Sequence, residues 1–347
     1  MIKKAQPAPQ SPIAGVSQID VARLAGVSQA AVSRAFTPGA SVSDQTRAKV
    51  LAAAEKLGYR PNVIARSLIQ KSTNIIGLVV MRFTNPFYAR VIRDFSRSFQ
   101  EHGYWTLLLN IAQNQELEDT LPMALQYQVD GLIITSATLS SKLAEECARS
   151  GTPVVLFNRY SSDSHTNMVR CDNVKGGRMV ADTLLDAGYQ RLAFIAGEES
   201  ASTNRDREYG FSSRLEERGI KHFIRESAGD YSYELGYQAA EKLLELDQPP
   251  DAIFCANDLL AMGAMNFIRC TKGIDVPGDL GVIGFDDIEA ASRPCFNLTT
   301  IRQPVKPMVD HSIEVLLNAI QDQNSDPADI VVTPELIQRS STRPTSS

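Results

Sequence analysis

From Thr73 onward the sequence repeats one pattern: a short apolar run, a longer segment of helical periodicity, then another apolar run. IIGLVVM (75–81), YWTLLLN (104–110), GLIIT (131–135) and PVVLF (153–157) are followed by LAFIA (192–196), AIFCA (252–256) and LGVIGF (280–285). Runs this short and this apolar fit strands buried on both faces, because a half-exposed strand would place a polar residue at every second position. Strands that run the same way need a crossover to join them. Alternation with helices therefore predicts parallel sheets with right-handed connections. Such sheets bind ligands at the carboxyl ends of their strands. The segment is long for one sheet-and-helix unit, and a break near Cys171 divides it into two similar lobes with a cleft between them.

The first part of the chain has a different character. Residues 1–72 hold ten Lys and Arg against three Asp and Glu, whereas 73–347 hold 25 against 37, so the net charge of −5 conceals a basic head on an acidic body. Charge alone is compatible with a solvated face or with a polyanion partner for the head. The local pattern separates the two. Ser17 stands three residues before Asp20, a capping-box spacing. Behind it, Ile19, Val21, Ala22, Leu24 and Ala25 supply the apolar stripe of a short helix that ends at Gly26. Ser28 can cap a second helix, about Gln29 to Phe36, which buries Ala31, Val32 and Ala35 and leaves Gln29, Ala30, Ser33 and Arg34 outside. A third helix begins near Ser43, buries Val50, Leu51, Ala54 and Leu57, and stops at Gly58. Three short helices around a small core, the first two joined by a glycine turn, make a helix-turn-helix.

The segments IDVARLAGVSQAAVSRAF (19–36) and VSDQTRAKVLAAAEKLGYRPNVIARSL (42–68) closely resemble the head of the lactose/galactose repressor family. The resemblance implies that Gln29, Ala30 and Arg34 meet base edges in the major groove. The chemistry suits them: Arg is bidentate to guanine, Gln to adenine, and an Ala methyl touches a thymine methyl. The other reading of Arg34 is a phosphate contact or a plain exposed charge. Ser17, Ser28 and Ser33, with the helix N-termini, would hold phosphates and set register. Residues 62–72 would be the hinge and linker, folding when two copies pair in the minor groove, with Asn62 and Ala65 in the hinge helix and Leu68 wedged into a base step. Packing of Leu68 under the large domain is the competing reading.

The body resembles the regulatory domain of the same family, itself similar to periplasmic sugar-binding proteins. TNPFY (84–88), VRCDNVKGG (169–177), NRDREYGF (204–211), CANDLLAMGAM (255–265), GVIGFDD (281–287) and LTTIRQP (298–304) carry the likeness. The implied fold is an all-α helix-turn-helix head plus a two-lobed α/β effector domain of the periplasmic-binding-protein type I. The expected organisation is a tail at 1–15, the reader at 16–61, the hinge at 62–72 and the effector and dimerisation domain at 73–339. One lobe would take 73–171 and 303–328, the other 172–302 and 329–339, leaving 340–347 as a frayed tail. Near Arg302 the chain would cross back for a last helix, about Val305 to Ala319. By resemblance the pocket holds Arg207, Asn257 and Asp286, with Phe87, Asn158 and Tyr231 nearby. Carboxylate, amide and guanidinium groups beside an aromatic ring suit a polyol. Turn and helix-cap roles are the alternatives for Asp286-Asp287 and Asn257-Asp258, preferred for Asp287 and Asp258.

One departure bears on the ligand. Where many members have a Pro-Asp pair after the first strand, this chain has Met81-Arg82. A guanidinium at the mouth of the cleft, alongside Arg207 and Arg159, points to an anionic effector such as a sugar acid or sugar phosphate. The competing reading turns Arg82 outward or pairs it with a nearby carboxylate. Expected partners are therefore a pseudo-palindromic DNA duplex, a sugar-like effector and a second copy of the chain, with no cofactor, metal or membrane. The first fifteen residues contain no apolar stretch of the export type and the cysteines are scattered, which fits a cytoplasmic protein. A sugar receptor without a DNA role would share the body but lack residues 17–68. An enzyme would need a reactive constellation, and HExxH, GxSxG and GxxxxGK[ST] are all missing from the sequence.

Overall fold

The computed structural model describes residues 16–37, 39–60, 72–81, 84–111, 117–135, 141–160, 166–322 and 325–344. The chain divides into two compact units at the Thr73–Asn74 junction.

In the first unit, α1 (Gln18–Ala25), α2 (Gln29–Ala35) and α3 (Asp44–Leu57) enclose a small core of Val21, Ala22, Val32, Ala35, Val50, Ala53 and Ala54. The turn between α1 and α2 needs a left-handed residue, and Gly26 supplies it at φ 66°. Ser17 and Asp20 form the reciprocal capping box, and Ser28 and Ser43 cap the two later helices through their hydroxyls. The Arg47 guanidinium donates to Ala35 O at 2.7 Å, tying α3 to the end of α2. Several residues expected inside lie outside: Ile19, Leu24 and Leu51 are 54%, 45% and 45% exposed, and Ala31 and Leu57 are only half-buried. Helices this short cannot bury a whole apolar stripe when the opposing surface is one small core of Val and Ala side chains.

The second unit contains two parallel sheets. In chain order it runs β1 (Ile75–Val80), α4 (Pro86–Glu101), β2 (Trp105–Asn110), α5 (Leu117–Gln126), β3 (Gly131–Ile134), α6 (Ser141–Ser150), β4 (Val154–Phe157) and β5 (Asn167–Cys171). It continues with α7 (Asn173–Asp186), β6 (Leu192–Ala196), α8 (Ser202–Glu217), β7 (Ile224–Ser227), α9 (Tyr233–Leu244), β8 (Ala252–Cys255), α10 (Asp258–Asn266), β9 (Gly281–Asp286), β10 (Thr299–Arg302), α11 (Val305–Gln321), β11 (Asp329–Val332) and β12 (Glu335–Ile337). The sheet orders are β11-β5-β4-β3-β1-β2 and β12-β10-β9-β8-β6-β7. Every pairing is parallel except that of β10 with β12. β1 shows why the apolar runs are continuous. Ile76, Leu78 and Val80 face one core with Phe95 and Phe99, while Val79 faces another with Leu121 and Leu132. Helices cover both faces, so neither parity of the strand can be polar.

The chain passes between the sheets after Cys171, after Arg302 and between Val332 and Glu335. The third passage corrects an expectation. Residues 329–332 do not belong to the second lobe's sheet; they pair with Met168–Cys171 of the first. The tail assigned to 340–347 is likewise anchored where it is described. Ser341 and Thr342 are fully buried, the Ser341 hydroxyl donates to Val282 O at 2.6 Å, and Arg343 donates to Gly278 O. No described helix is long and apolar enough to cross a membrane.

Candidate functional site

Two sites emerge, one in each unit. In the head, Gln29, Ala30, Ser33 and Arg34 are all exposed on α2, as its pattern predicts. Among the described residues, Arg34 has no carboxylate within ion-pair distance, so its guanidinium is available to a ligand. Gln29 is held from behind: its side-chain amide donates to Gln18 Oε1 at 3.4 Å, and Gln18 Nε2 donates to Gln29 O at 3.2 Å. Ser17 is fully engaged as a cap. Its hydroxyl donates to Asp20 Oδ2 at 2.6 Å and its backbone N–H to the same oxygen at 3.0 Å, which leaves it no donor for a phosphate in this conformation. These bonds, with Arg23 beside them, hold the Asp20 carboxyl below its ordinary range. Ser28 Oγ accepts from Ala31 N at 3.2 Å. Asn62, Ala65 and Leu68 lie outside the described residues.

In the body, a cleft opens at the carboxyl ends of the strands, where Asn158 follows β4, Asn257 follows β8 and Asp286 ends β9. Asn158 and Asp286 adopt left-handed backbone conformations, at φ 58° and 118°. Asn tolerates that region; an Asp at 118° is strained, and such strain collects where a side chain must be aimed. At the centre, the Arg207 guanidinium donates to Asn173 Oδ1 at 2.9 Å, to Ala256 O at 2.6 Å and to Asp286 Oδ1 at 3.3 Å, while its plane lies 3.7 Å over the Phe285 ring. Gln303 Nε2 donates to the same Asp286 oxygen at 2.7 Å. Burial outweighs these partners and pushes the Asp286 carboxyl above its ordinary range. Phe87 is 3% exposed and meets Tyr88 edge-on; both rings line the cleft. The Tyr231 ring lies against the backbone at Gly197, where a side chain would collide with it.

Three buried polar atoms of the lining residues have no hydrogen-bond partner among the described residues: Asn158 Oδ1, Asn257 Nδ2 and Gln303 Oε1. Two are acceptors and one is a donor. Leaving each unpaired costs on the order of 1–3 kcal/mol, and a molecule that supplies both donors and acceptors would satisfy them. Asn257 serves two ends: its Oδ1 caps α10 by accepting from Leu260 N at 3.0 Å, and its Nδ2 remains for the cleft. Asp258 is structural, fully buried and accepting from Thr300 Oγ1 at 2.6 Å and Ile288 N at 2.9 Å. Burial and the neighbouring Asp286 push its carboxyl well above the ordinary range. Asp287 is clamped by Arg302 at 2.7 Å and Arg339 at 2.6 Å.

Of the residues expected here, Phe87, Asn158, Arg207, Tyr231, Asn257 and Asp286 come together in one cleft; Arg82 lies outside the described residues. Gln303, Asn85, Tyr88 and Thr203 were not anticipated, and Arg159 entered only as a companion to Arg82. Gln303 had a legible signal, since it follows the apolar-Thr run LTTIR at a strand's carboxyl end. Asn85 and Thr203 had none beyond their helix-start positions.

A family model described as bacterial regulatory proteins, lacI family, matches residues 19–62, and one described as a periplasmic binding protein-like domain matches residues 181–342. The HTH-type transcriptional repressor PurR of Photobacterium profundum is 34% identical over 329 residues, covering 93% of this chain and 98% of the relative. The catabolite control protein A of Priestia megaterium is 34% identical over 334 residues, covering 94% and 99%. Among solved structures, the lac repressor dimer bound to operator and the anti-inducer ONPF superposes with TM-score 0.85 at 28% identity, covering 95% of this chain and 99% of that one. The chain belongs to the LacI family of bacterial regulatory proteins. Within that family it has the two-part architecture of a helix-turn-helix head and a two-lobed periplasmic-binding-like body.

Proposed function

We propose that the chain is a transcriptional repressor that binds a pseudo-palindromic operator as a homodimer, with an affinity set by a small carbohydrate-type effector in the body's cleft. The observation that carries the effector half is the set of unpartnered buried atoms on Asn158, Asn257 and Gln303. Vicinal hydroxyls each donate and accept, so a polyol satisfies a mixed set of this kind, and the Phe87 and Tyr88 rings suit its apolar face. The relatives whose names describe repressors and the lac repressor structure that holds operator and anti-inducer support the DNA half. Within that half, Gln29, Ala30 and Arg34 read base edges, while Ser28 and Ser33 set register on phosphates. Asn62, Ala65 and Leu68 form the hinge contact. Effector and operator are then linked by a coupling free energy of about 1–3 kcal/mol, equal in both directions.

Selection of duplexes from fragmented genomic DNA by the full chain at low ionic strength tests this reading. The expected product is one two-fold-symmetric site whose affinity falls steeply with salt as counterions are released. Adding sugars, sugar acids and sugar phosphates should change that affinity for at least one compound. Recovery of no preferred duplex, with or without metabolites, rules the reading out.

A further inference from the structure

We infer that Arg159 is the anion contact of the cleft, so that the effector carries a carboxylate or a phosphate. The inference rests on the cleft being the effector site. The anionic ligand that Arg82 suggests in the sequence is thereby assigned to Arg159.

Arg159 is 3% exposed and lines the cleft. Its Nη1 donates to Asn158 O at 3.1 Å and to Thr203 Oγ1 at 3.0 Å, and both acceptors are neutral. Among the described residues no Asp or Glu lies within ion-pair distance of it. A guanidinium keeps its proton throughout the physiological range, so burial cannot discharge it. A buried charge is retained at reasonable cost only when something compensates it. The other cation among the described cleft residues is already compensated, since Arg207 faces Asp286 at 3.3 Å with both side chains almost fully buried. Among the described residues of the cleft, one carboxylate thus serves two guanidiniums, and the surplus positive charge falls on Arg159.

The end of α8 adds to this field. The helix begins at Ser202 with no side-chain cap, Thr203 of its first turn lines the cleft and bonds Arg159, and the buried Ser202 Oγ has no partner among the described residues. The positive end of a sixteen-residue helix dipole and a buried guanidinium therefore converge on the same wall. A neutral sugar would satisfy the hydroxyl partners and leave this charge uncompensated. A sugar acid or sugar phosphate would satisfy both.

Calorimetry of the full chain with matched pairs tests the assignment: D-glucitol with D-gluconate, D-glucose with glucose 6-phosphate, and D-ribose with ribose 5-phosphate. At least one anion should bind about tenfold or more tighter than its neutral partner, and Arg159→Gln should shrink that gap to about twofold while Arg159→Lys preserves most of it. The gluconate arm and the phosphate arms separate a carboxylate effector from a phosphorylated one. Circular dichroism melts confirm that both variants fold, and inorganic phosphate serves as a minimal anion probe. Neutral partners that bind as tightly as the anions would overturn the proposal. So would a gap that survives Arg159→Gln, or the absence of any Arg159-dependent binding by every anion tried. Asn257→Ala removes a contact that charged and neutral ligands share; undiminished binding in that variant would instead refute the cleft as the effector site.

Discussion

Gln29, Ala30, Ser33 and Arg34 lie on one seven-residue helix and are all exposed, whereas Asn158, Arg207, Asn257, Asp286 and Gln303 come from five separate segments and are all buried. The head therefore holds its chemistry on the outside of a small scaffold, and the scaffold hardly depends on it. In the body the same side chains that face the cleft also join the lobe together: Arg207 binds three different segments, and Asn257 caps a helix with one end of its amide. The contrast fits the ligands proposed for the two regions. A duplex is larger than the head and meets a surface, while a small polar molecule must be surrounded, and surrounding it requires desolvated groups that need partners of their own.

Substitutions in the two regions should separate binding from stability in opposite ways. The largest effect is expected for Asp286→Ala, which strands the Arg207 charge and the Gln303 amide in the interior. The body should lose about 3–5 kcal/mol in urea unfolding, together with its ligand response. A loss well below ~1 kcal/mol would break the contrast. Arg34→Ala should cost about 1–3 kcal/mol of discrimination at one base pair per half-site in a binding-site selection, with stability unchanged within ~0.5 kcal/mol. Unaltered base preference would make Arg34 a phosphate contact.

Ser28→Ala sharpens the boundary, because Ser28 is both a cap and an expected phosphate contact. The head should lose about 1 kcal/mol of stability and bind all duplexes more weakly without a change in preference. Gln18→Ala should alter preference at the same base pair as Gln29→Ala but by less, and the double variant should resemble Gln29→Ala alone, since Gln18 acts through Gln29. Wholly additive effects would mean that the two amides act separately.

The smallest effect concerns Glu217, whose carboxyl is held down at about 2 by Arg178 and Arg214. A lowered acid pKa means that the pairing contributes above the ordinary value of 4.5 and is lost as the pH falls through about 2. A carboxyl resonance at Glu217 that titrates near 4.5 in NMR would show that this exposed cluster is not formed in solution. Salt should weaken it, in contrast to the buried pair at Arg207.

How much was legible in the chain differs between the two regions for the same reason. In the head, capping serines, a turn glycine and helical periodicity are local signals, and α2's outward face follows from them directly. What failed there was the depth of burial: Ile19, Leu24 and Leu51 fit the helical stripe but exceed what seven small core residues can cover. In the body, the strongly apolar strands were plain in the sequence. β5, β7, β11 and β12 mix polar with apolar residues, and their places come only from pairing. That is why 329–332 joins the first sheet against expectation, and why Ser341 and Thr342, polar enough to read as a frayed end, are held inside by Val282 and Thr299.

Sequence alone determined that the chain has a basic three-helix reader and an acidic strand-helix body, because periodicity, capping chemistry and charge act between residues near one another in the chain. Tertiary structure alone decided that Gln303 shares an oxygen of Asp286 with Arg207, that the ion pair there neutralises one guanidinium, and that Arg159 donates to the neutral Asn158 O and Thr203 Oγ1. Those facts depend on contacts between residues up to 79 positions apart, from Arg207 to Asp286. Such contacts are set by how two sheets and three crossings bring strand ends together, and no local pattern encodes them.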